Sequence, residues 1–315
     1  MTGSPGFDTV CRPGLGGVVL NMLSNKSLRK VTLVGVGLLG GSIGLAIRAA
    51  GSAVRRVGVG RRMSSLDKAL AYDAVDEVTL DMADGVADAD LVIVCTPIGV
   101  MASMFERMAP HLPPGCIVTD VGSTKAEVVR IARRSLPKRA RFVGSHPIAG
   151  SEKTSVEFAR ADLFQNAVCV VTPTKHTDPT AIRDVAAFWR AIGGRPVVTS
   201  PARHDRALAR VSHLPHAVAA ALVLQAGAED LRFAGTGFAD TSRIASGDPG
   251  LWRDIFGTNR QATLRALAAF QRELTRFRAA LEAGDGAAVS RWLERAKTRR
   301  EAWVQQRYAQ QEMDA

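Results

Sequence analysis

Two segments of this 315-residue chain have the residue types and spacing to do chemistry together. One is Gly144-Ser145-His146-Pro147-Ile148-Ala149-Gly150-Ser151-Glu152, in which glycines and a proline pin a histidine. The other, some hundred residues upstream, is Gly35-Val36-Gly37-Leu38-Leu39-Gly40, a Gly-x-Gly-x-x-Gly loop. A neutral imidazole takes up a proton near pH 7, and a glycine-rich loop leading into a helix seats a pyrophosphate on the helix N-terminus. The pair reads as a base beside a bound dinucleotide.

The loop has the context this reading needs, with the apolar run Val31-Thr32-Leu33-Val34 before it and a helical, small-residue stretch through Ala50 after it. Gly35 permits the tight turn, Gly37 lets backbone approach the pyrophosphate, and Gly40 lets helix and sheet pack closely. Leu38 and Leu39 complete the cofactor-binding stretch. The second strand, Arg56-Val57-Gly58-Val59-Gly60, ends in Arg61-Arg62 where an acid would accept the ribose 2'-hydroxyl of NAD. Arginine there suits a 2'-phosphate, so the residues lean to NADP, with NAD and two solvated arginines as the alternative. Two further strands end in Thr96-Pro97 and in Gly122-Ser123-Thr124-Lys125. Ligands of parallel sheets bind beyond carboxyl strand ends, although Thr96-Pro97 also reads as an ordinary helix start.

Apolar runs near 31–36, 56–60, 91–96, 116–121, 141–145, 168–172 and 196–199 alternate with helical patterns. This predicts an α/β class, a Rossmann-type doubly wound and mostly parallel sheet over residues 29–200. From 201 to 315 the pattern is helical only, over 204–229, 250–283 and 285–308, broken by the glycine-rich stretch 235–250 and by Gly284-Asp285-Gly286. Residues 1–28, rich in Gly and Ser, read as a loose leader without signal-peptide character.

Composition narrows the function classes. Hydrophobic residues make up 46% and charged residues 23%, which is ordinary for a globular protein. The net charge of +11 comes from Lys and Arg scattered among acids, with aromatics at 5%, a pattern that suits an anionic small substrate and argues against nucleic acid. No uninterrupted apolar run has membrane-span length. Cys11, Cys95, Cys116 and Cys169 lack metal-ligand spacing and read as reduced thiols of a cytoplasmic protein.

Seven motifs in order carry a resemblance: the loop 35–42, Cys95-Thr96-Pro97, Thr119 to Lys125, the histidine segment 144–152, Ser212-His213-Leu214-Pro215-His216, Asp240-Thr241-Ser242-Arg243-Ile244-Ala245 and Trp252-Arg253-Asp254-Ile255-Phe256. Over about residues 30–305 the chain resembles the prephenate and arogenate dehydrogenases of tyrosine biosynthesis. The resemblance implies oxidative decarboxylation of prephenate to 4-hydroxyphenylpyruvate and CO2, with hydride passing to NAD or NADP. It also implies a homodimer joined through the helical domain. That chemistry needs a base, a hydride acceptor and clamps for two carboxylates.

On the matching positions, His146 is the catalytic base, and Ser123 orients it or else caps the helix that begins near Lys125. Arg243 binds a substrate carboxylate, with Asp240 on the same helical turn as its ion-pair partner; an ordinary surface pair is the alternative. His216 contacts the substrate side chain and favours prephenate over arogenate, Ser212 adds a hydroxyl, and His213 reads as structural and buried at the domain junction. Glu152 is a gating residue or a solvated acid, and Trp252 a pocket aromatic or a core one. Ala239 departs from a family position that is often arginine. The length leaves nothing for an appended mutase or regulatory domain, so tyrosine feedback would act at the active site or dimer interface.

The alternatives are an arogenate or dual-specificity cyclohexadienyl dehydrogenase, and a non-catalytic dinucleotide sensor that would have no use for His146. A β-hydroxyacid dehydrogenase would want a lysine in the helical domain, and residues 204–296 contain none.

Overall fold

The computed structural model describes residues 22–23, 26–150 and 153–313. A short antiparallel hairpin, β1 (Met22–Leu23) with β2 (Lys26–Ser27), comes first. It occupies part of the stretch read above as a leader, and Leu28, which follows it, is buried in the core.

Eight strands then form one sheet: β3 (Lys30–Val34), β4 (Arg55–Val59), β5 (Glu77–Thr79), β6 (Leu91–Val94), β7 (Ile117–Asp120), β8 (Arg141–Pro147), β9 (Val168–Thr172) and β10 (Arg195–Val198). Their spatial order is β10-β9-β8-β7-β6-β3-β4-β5. All pairings are parallel except β8 with β9. β3, β6 and β7 are buried along their whole length, because helices cover both faces and leave no polar side to alternate with. The covering helices are α1 (Leu38–Ala49), α2 (Met63–Ala71), α3 (Met82–Val86), α4 (Ile98–Met108), α5 (Ala126–Ser135) and α6 (Pro179–Ala191). One face packs Ile43, Ile47, Phe188 and Trp189 against Leu33, Ile93 and Val171. The other packs Met101, Phe105 and Val128 against Val34, Val92 and Val118.

The strand order reverses between β3 and β6, which are hydrogen-bonded with Val34 opposite Val94. The crevice beyond the carboxyl ends of these two strands is the switch point where doubly wound sheets bind ligands. One strand was not expected from the sequence, and one boundary is extended. The three-residue strand β5 is too short to show a period, and β8 runs past 145 to Pro147 because its last four residues pair with the antiparallel β9.

The rest of the chain is helical: α7 (Pro201–Leu208), α8 (Leu214–Gln225), α9 (Thr236–Ser242), α10 (Pro249–Thr258), α11 (Arg260–Glu282) and α12 (Gly286–Met313). A π-helical turn, Ala209–His213, joins α7 to α8. The continuous helix Pro201–Gln225 is long and apolar enough by composition to cross a membrane, with 22% of its most apolar window buried. The pattern expected as one helix over 250–283 is broken at Asn259, whose side chain donates to the Asp205 carbonyl at 2.8 Å and meets His213 Nδ1 at 3.1 Å.

Candidate active site

The glycine loop follows β3 directly. Gly35 has a positive φ of 94°, and a Cβ there would lie 3.1 Å from Thr96 Cγ2 across the switch point. At Gly40 a side chain would collide with the Gly35 carbonyl. Helix α1 starts with Gly37 at its N-cap and no side-chain cap, so its first-turn amides are left for backbone or ligand. Leu38 N–H donates to the Thr154 carbonyl at 3.0 Å, and a Cβ on Gly37 would stand 2.7 Å from that same oxygen. The close approach at Gly37 is thus made by the chain's own segment. Thr96 Oγ1 is buried without a hydrogen-bond partner among the described residues, and Pro97 N-caps α4, so the Thr96-Pro97 pair is both a helix start and a wall of the crevice. A glycine cradle, an uncapped helix start and an orphaned hydroxyl at one switch point fit a dinucleotide.

Arg61 and Arg62 follow β4, exposed, and line an open cavity of about 270 Å³. Arg56 in the same strand is held differently, 7% exposed and bonded to Asp76 and to the carbonyls of Gly44 and Asp73.

His146 lies within β8, not after it, at the carboxyl end of the sheet. The backbone beneath it is tied down. Ser145 N–H donates to Asp120 Oδ1 at 3.2 Å, and Ser145 Oγ donates to the Asp120 carbonyl at 2.7 Å. Lys125, fully buried, reaches Asp120 and donates to the Ser145 carbonyl at 2.8 Å. This ion pair has no solvent exposure on either side chain; burial pushes the lysine pKa down, and Asp120 partly opposes that. A buried pair survives only when its remaining polar atoms are bonded, as here by Gly122 N–H and the two Ser145 groups.

The imidazole of His146 is itself engaged. Its Nδ1 lies 2.9 Å from His204 Nε2, and His204 Nδ1 lies 2.8 Å from Asp205 Oδ1. Burial, then the neighbouring His204, Lys125 and His213, lower its pKa well below 6.5, so the ring is neutral at pH 7, as a base must be. Burial alone would raise the Asp205 pKa, yet hydrogen bonds from His204 and from the Ala126 and Lys125 backbone bring it below the ordinary value.

Ser123 is half-buried in the loop between β7 and α5, at the same end of the sheet as His146 near the end of β8. The capping alternative for this loop is corrected. Neither Ser123 nor Thr124 caps α5; its first N–H groups are received by the Asp205 carboxylate, from Lys125 at 2.8 Å and Ala126 at 2.9 Å. Thr124 instead meets Thr258 Oγ1 at 2.9 Å.

From the helical side, the π turn carries Ser212, half-buried, and His213, buried, and α8 carries the buried His216. A regular α-helix turns about 100° per residue, which would set His213 roughly 180° and His216 roughly 120° around the axis from His204. The extra residue of a π turn reduces these to about 80° and about 20°. His204, His213 and His216 are all buried as a result. His216 stacks on Trp252 of α10 at 3.5 Å between ring centroids and 13° between planes, so the half-buried Trp252 is a partner of the histidine cluster.

Asp240 and Arg243 are exposed, and among the described residues they form no ion pair with each other. The turn expected to join them ends too early: α9 stops at Ser242 and Arg243 begins a 3-10 segment. Glu152 lies outside the described residues.

His204 and Asp205 escaped the sequence reading, and Asp120 and Lys125 were read only as part of the motif Thr119 to Lys125, without their ion pair. Asp205 left no signal in the sequence, because Ser123 and Thr124 offered nearby hydroxyls for the same helix start.

Family models for "Prephenate dehydrogenase, nucleotide-binding domain" and "Prephenate dehydrogenase, dimerization domain" match residues 43–198 and 200–295. The chain is 36% identical over 284 residues to the prephenate dehydrogenase of Bacillus subtilis, covering 88% of this chain and 76% of that one. It is 35% identical over 265 residues to the cyclohexadienyl dehydrogenase of Zymomonas mobilis, covering 82% and 90%. The structure superposes with a TM-score of 0.82 on prephenate dehydrogenase from A. aeolicus in complex with hydroxyphenyl propionate and NAD+, at 33% identity, covering 89% and 99%.

Proposed function

The chain belongs to the prephenate dehydrogenase family, and from that premise we infer how its own residues carry the reaction. It is an NAD(P)-dependent oxidoreductase of tyrosine biosynthesis that oxidatively decarboxylates prephenate to 4-hydroxyphenylpyruvate and CO2. The observation that carries the residue assignment is the neutral, buried His146 on the same sheet edge as the glycine loop.

When bound, the dinucleotide supplies the ring that accepts hydride. Its pyrophosphate would be held by the loop residues Gly35, Gly37, Leu38, Leu39 and Gly40, with Thr96 and Pro97 as the facing wall, in place of the Thr154 carbonyl that meets Gly37 and Leu38 here. His146 accepts the proton of the substrate 4-hydroxyl, which lets C4 release hydride, and loss of the ring carboxylate then completes the aromatic ring. Ser123 orients the imidazole and would orient the nicotinamide when it is bound. Arg243 takes a substrate carboxylate as a charge-assisted pair. His216, set by its stack on Trp252, and Ser212 meet the side chain.

NADP is the proposed cofactor, supported by the cavity lined by Arg61 and Arg62, which suits a 2'-phosphate. NAD is the second reading, favoured by the NAD+ in the A. aeolicus complex. The dimer is formed through the helical domain from residue 201 onward, supported by the apolar side chains it exposes, Leu224 at 85% and Phe233 at 89%. A reducing, cytoplasmic setting accords with the free thiols Cys95 and Cys169.

The test is initial rates of cofactor reduction with prephenate and with arogenate, each with NAD and with NADP. Turnover is expected to be fastest with prephenate and NADP, and Arg61→Gln is expected to raise the KM for NADP about tenfold with little effect on NAD. No turnover in any combination would leave the dinucleotide sensor as the better reading.

A further inference from the structure

We infer that His204 and Asp205 are positioning residues that fix His146 in its Nδ1–H tautomer and thereby reserve Nε2 as the atom that accepts the substrate proton. The inference rests on the reading of His146 as the base.

One buried chain of hydrogen bonds begins at a helix end. The Asp205 carboxylate receives the N–H groups of Lys125 and Ala126 at 2.8 and 2.9 Å. It stands at the N-terminus of α5, a helix without a cap of its own. Amides and the positive end of the helix dipole both favour the ionised acid. An ionised carboxylate only accepts, so His204 must donate to it from Nδ1 across the 2.8 Å contact. A neutral imidazole that donates from Nδ1 accepts at Nε2. His146 must then donate from its own Nδ1 across 2.9 Å, and its lone pair is left on Nε2. His204 is 1% exposed and Asp205 5%, so water does not compete for either bond.

The placement is also rigid. The rings of His146 and His204 meet edge to face, with centroids 5.1 Å apart and 69° between planes. The helix carrying the pair is anchored on a second side, where Asn259 donates to the Asp205 carbonyl at 2.8 Å. An acid holding a histidine in one tautomer is the logic of hydrolase triads; here a second imidazole is interposed, which moves the acid out of the site and onto a helix start. Proton uptake at His146 Nε2 would turn its Nδ1–H bond to His204 into a charge-assisted one, strengthening it when the hydroxyl proton arrives.

The experiment is 15N NMR of histidine-labelled protein, with the His146 signals assigned from the spectrum of His146→Asn, paired with steady-state kinetics. In the wild type, His146 is expected to show a protonated Nδ1 and an unprotonated Nε2. In His204→Leu that preference is lost, and kcat falls on the order of 10- to 100-fold while cofactor affinity and KM change less than about threefold. His204→Gln, whose amide can accept from His146 and donate to Asp205, restores most of kcat and the wild-type tautomer. A His146 protonated on Nε2 in the wild type, the pattern expected if His204 carried both protons, would overturn the inference. So would a His204→Leu protein that keeps the Nδ1–H signal and a kcat within twofold, or equal losses of kcat in the Leu and Gln proteins. If the Leu protein does not fold, the wild-type and Gln spectra still decide. The tautomer is read without substrate, so absence of turnover with prephenate and arogenate would remove the functional reading and leave the tautomer result standing.

Discussion

His146 and Arg243 occupy opposite extremes of order within one candidate site. The histidine is 9% exposed and tied through His204 and Asp205 to the start of a helix. The arginine is exposed at a break between an α and a 3-10 segment, and among the described residues it makes no ion pair. In the roles proposed for them, the proton acceptor is pre-organised by a single chain, whereas the carboxylate-binding arginine is left to be ordered by the substrate or by a second copy. Orientation is cheapest to hold where reacting atoms must align, and a long cation gives up its rotamer freedom only once an anion is present.

The sharpest way to break this contrast is to remove the base. His146→Asn is expected to lower kcat by about 10²- to 10⁴-fold with cofactor affinity retained, measured by initial rates and by dinucleotide titration; a matching loss of cofactor binding would show that the histidine is structural. Next is the foundation under it. Lys125→Met leaves Asp120 buried and uncompensated, and about 3–5 kcal/mol of stability should be lost in urea unfolding, where a loss under about 1 kcal/mol would mean that the pair is not ionic. The binding end should behave differently. Arg243→Gln is expected to raise the KM for prephenate about 10- to 100-fold, with kcat and melting temperature nearly unchanged; a fall in kcat alone would place Arg243 with the base.

The smallest effect is on pH. As the proposed base, His146 acts in its neutral form, and its pKa is depressed by burial and by its neighbours, so kcat should stay flat through pH 6.5 and fall only at lower pH. Stability follows the same sign. His213 is pushed down to about 4 by burial, which Asp205 partly opposes. Above 6.5 its contribution is complete; as pH drops from 6.5 toward 4, the unfolded chain binds a proton that the folded chain excludes, and stability declines. A melting temperature unchanged between pH 7 and 5 would contradict this.

The contrast also explains what could be read in advance. The sheet, the glycine loop and His146 were legible because each rests on a local pattern: a buried apolar run, three glycines at fixed spacing, a histidine between glycine and proline. β5 was not, since three residues carry no period. His204 and Asp205 were hidden for another reason, being local to a helix that looks merely amphipathic while their partners lie 58 and 79 residues away. The expected cap at Ser123 or Thr124 failed on the same ground, because local propensity favoured a nearby hydroxyl and the fold delivered a distant carboxylate with two bonds to offer.

The wide turn at Ala209–His213 has a consequence for editing this chain. Deleting Ala209, Arg210 or Val211 would give a smoother helix of ordinary pitch, and by the usual measures of propensity a better one. Everything downstream would then swing by about 100°, carrying His216 off the face that it shares with His204. Helical quality and site geometry are set against each other in this stretch, so a redesign that idealises the backbone here would dismantle the cluster while every residue in it kept its identity.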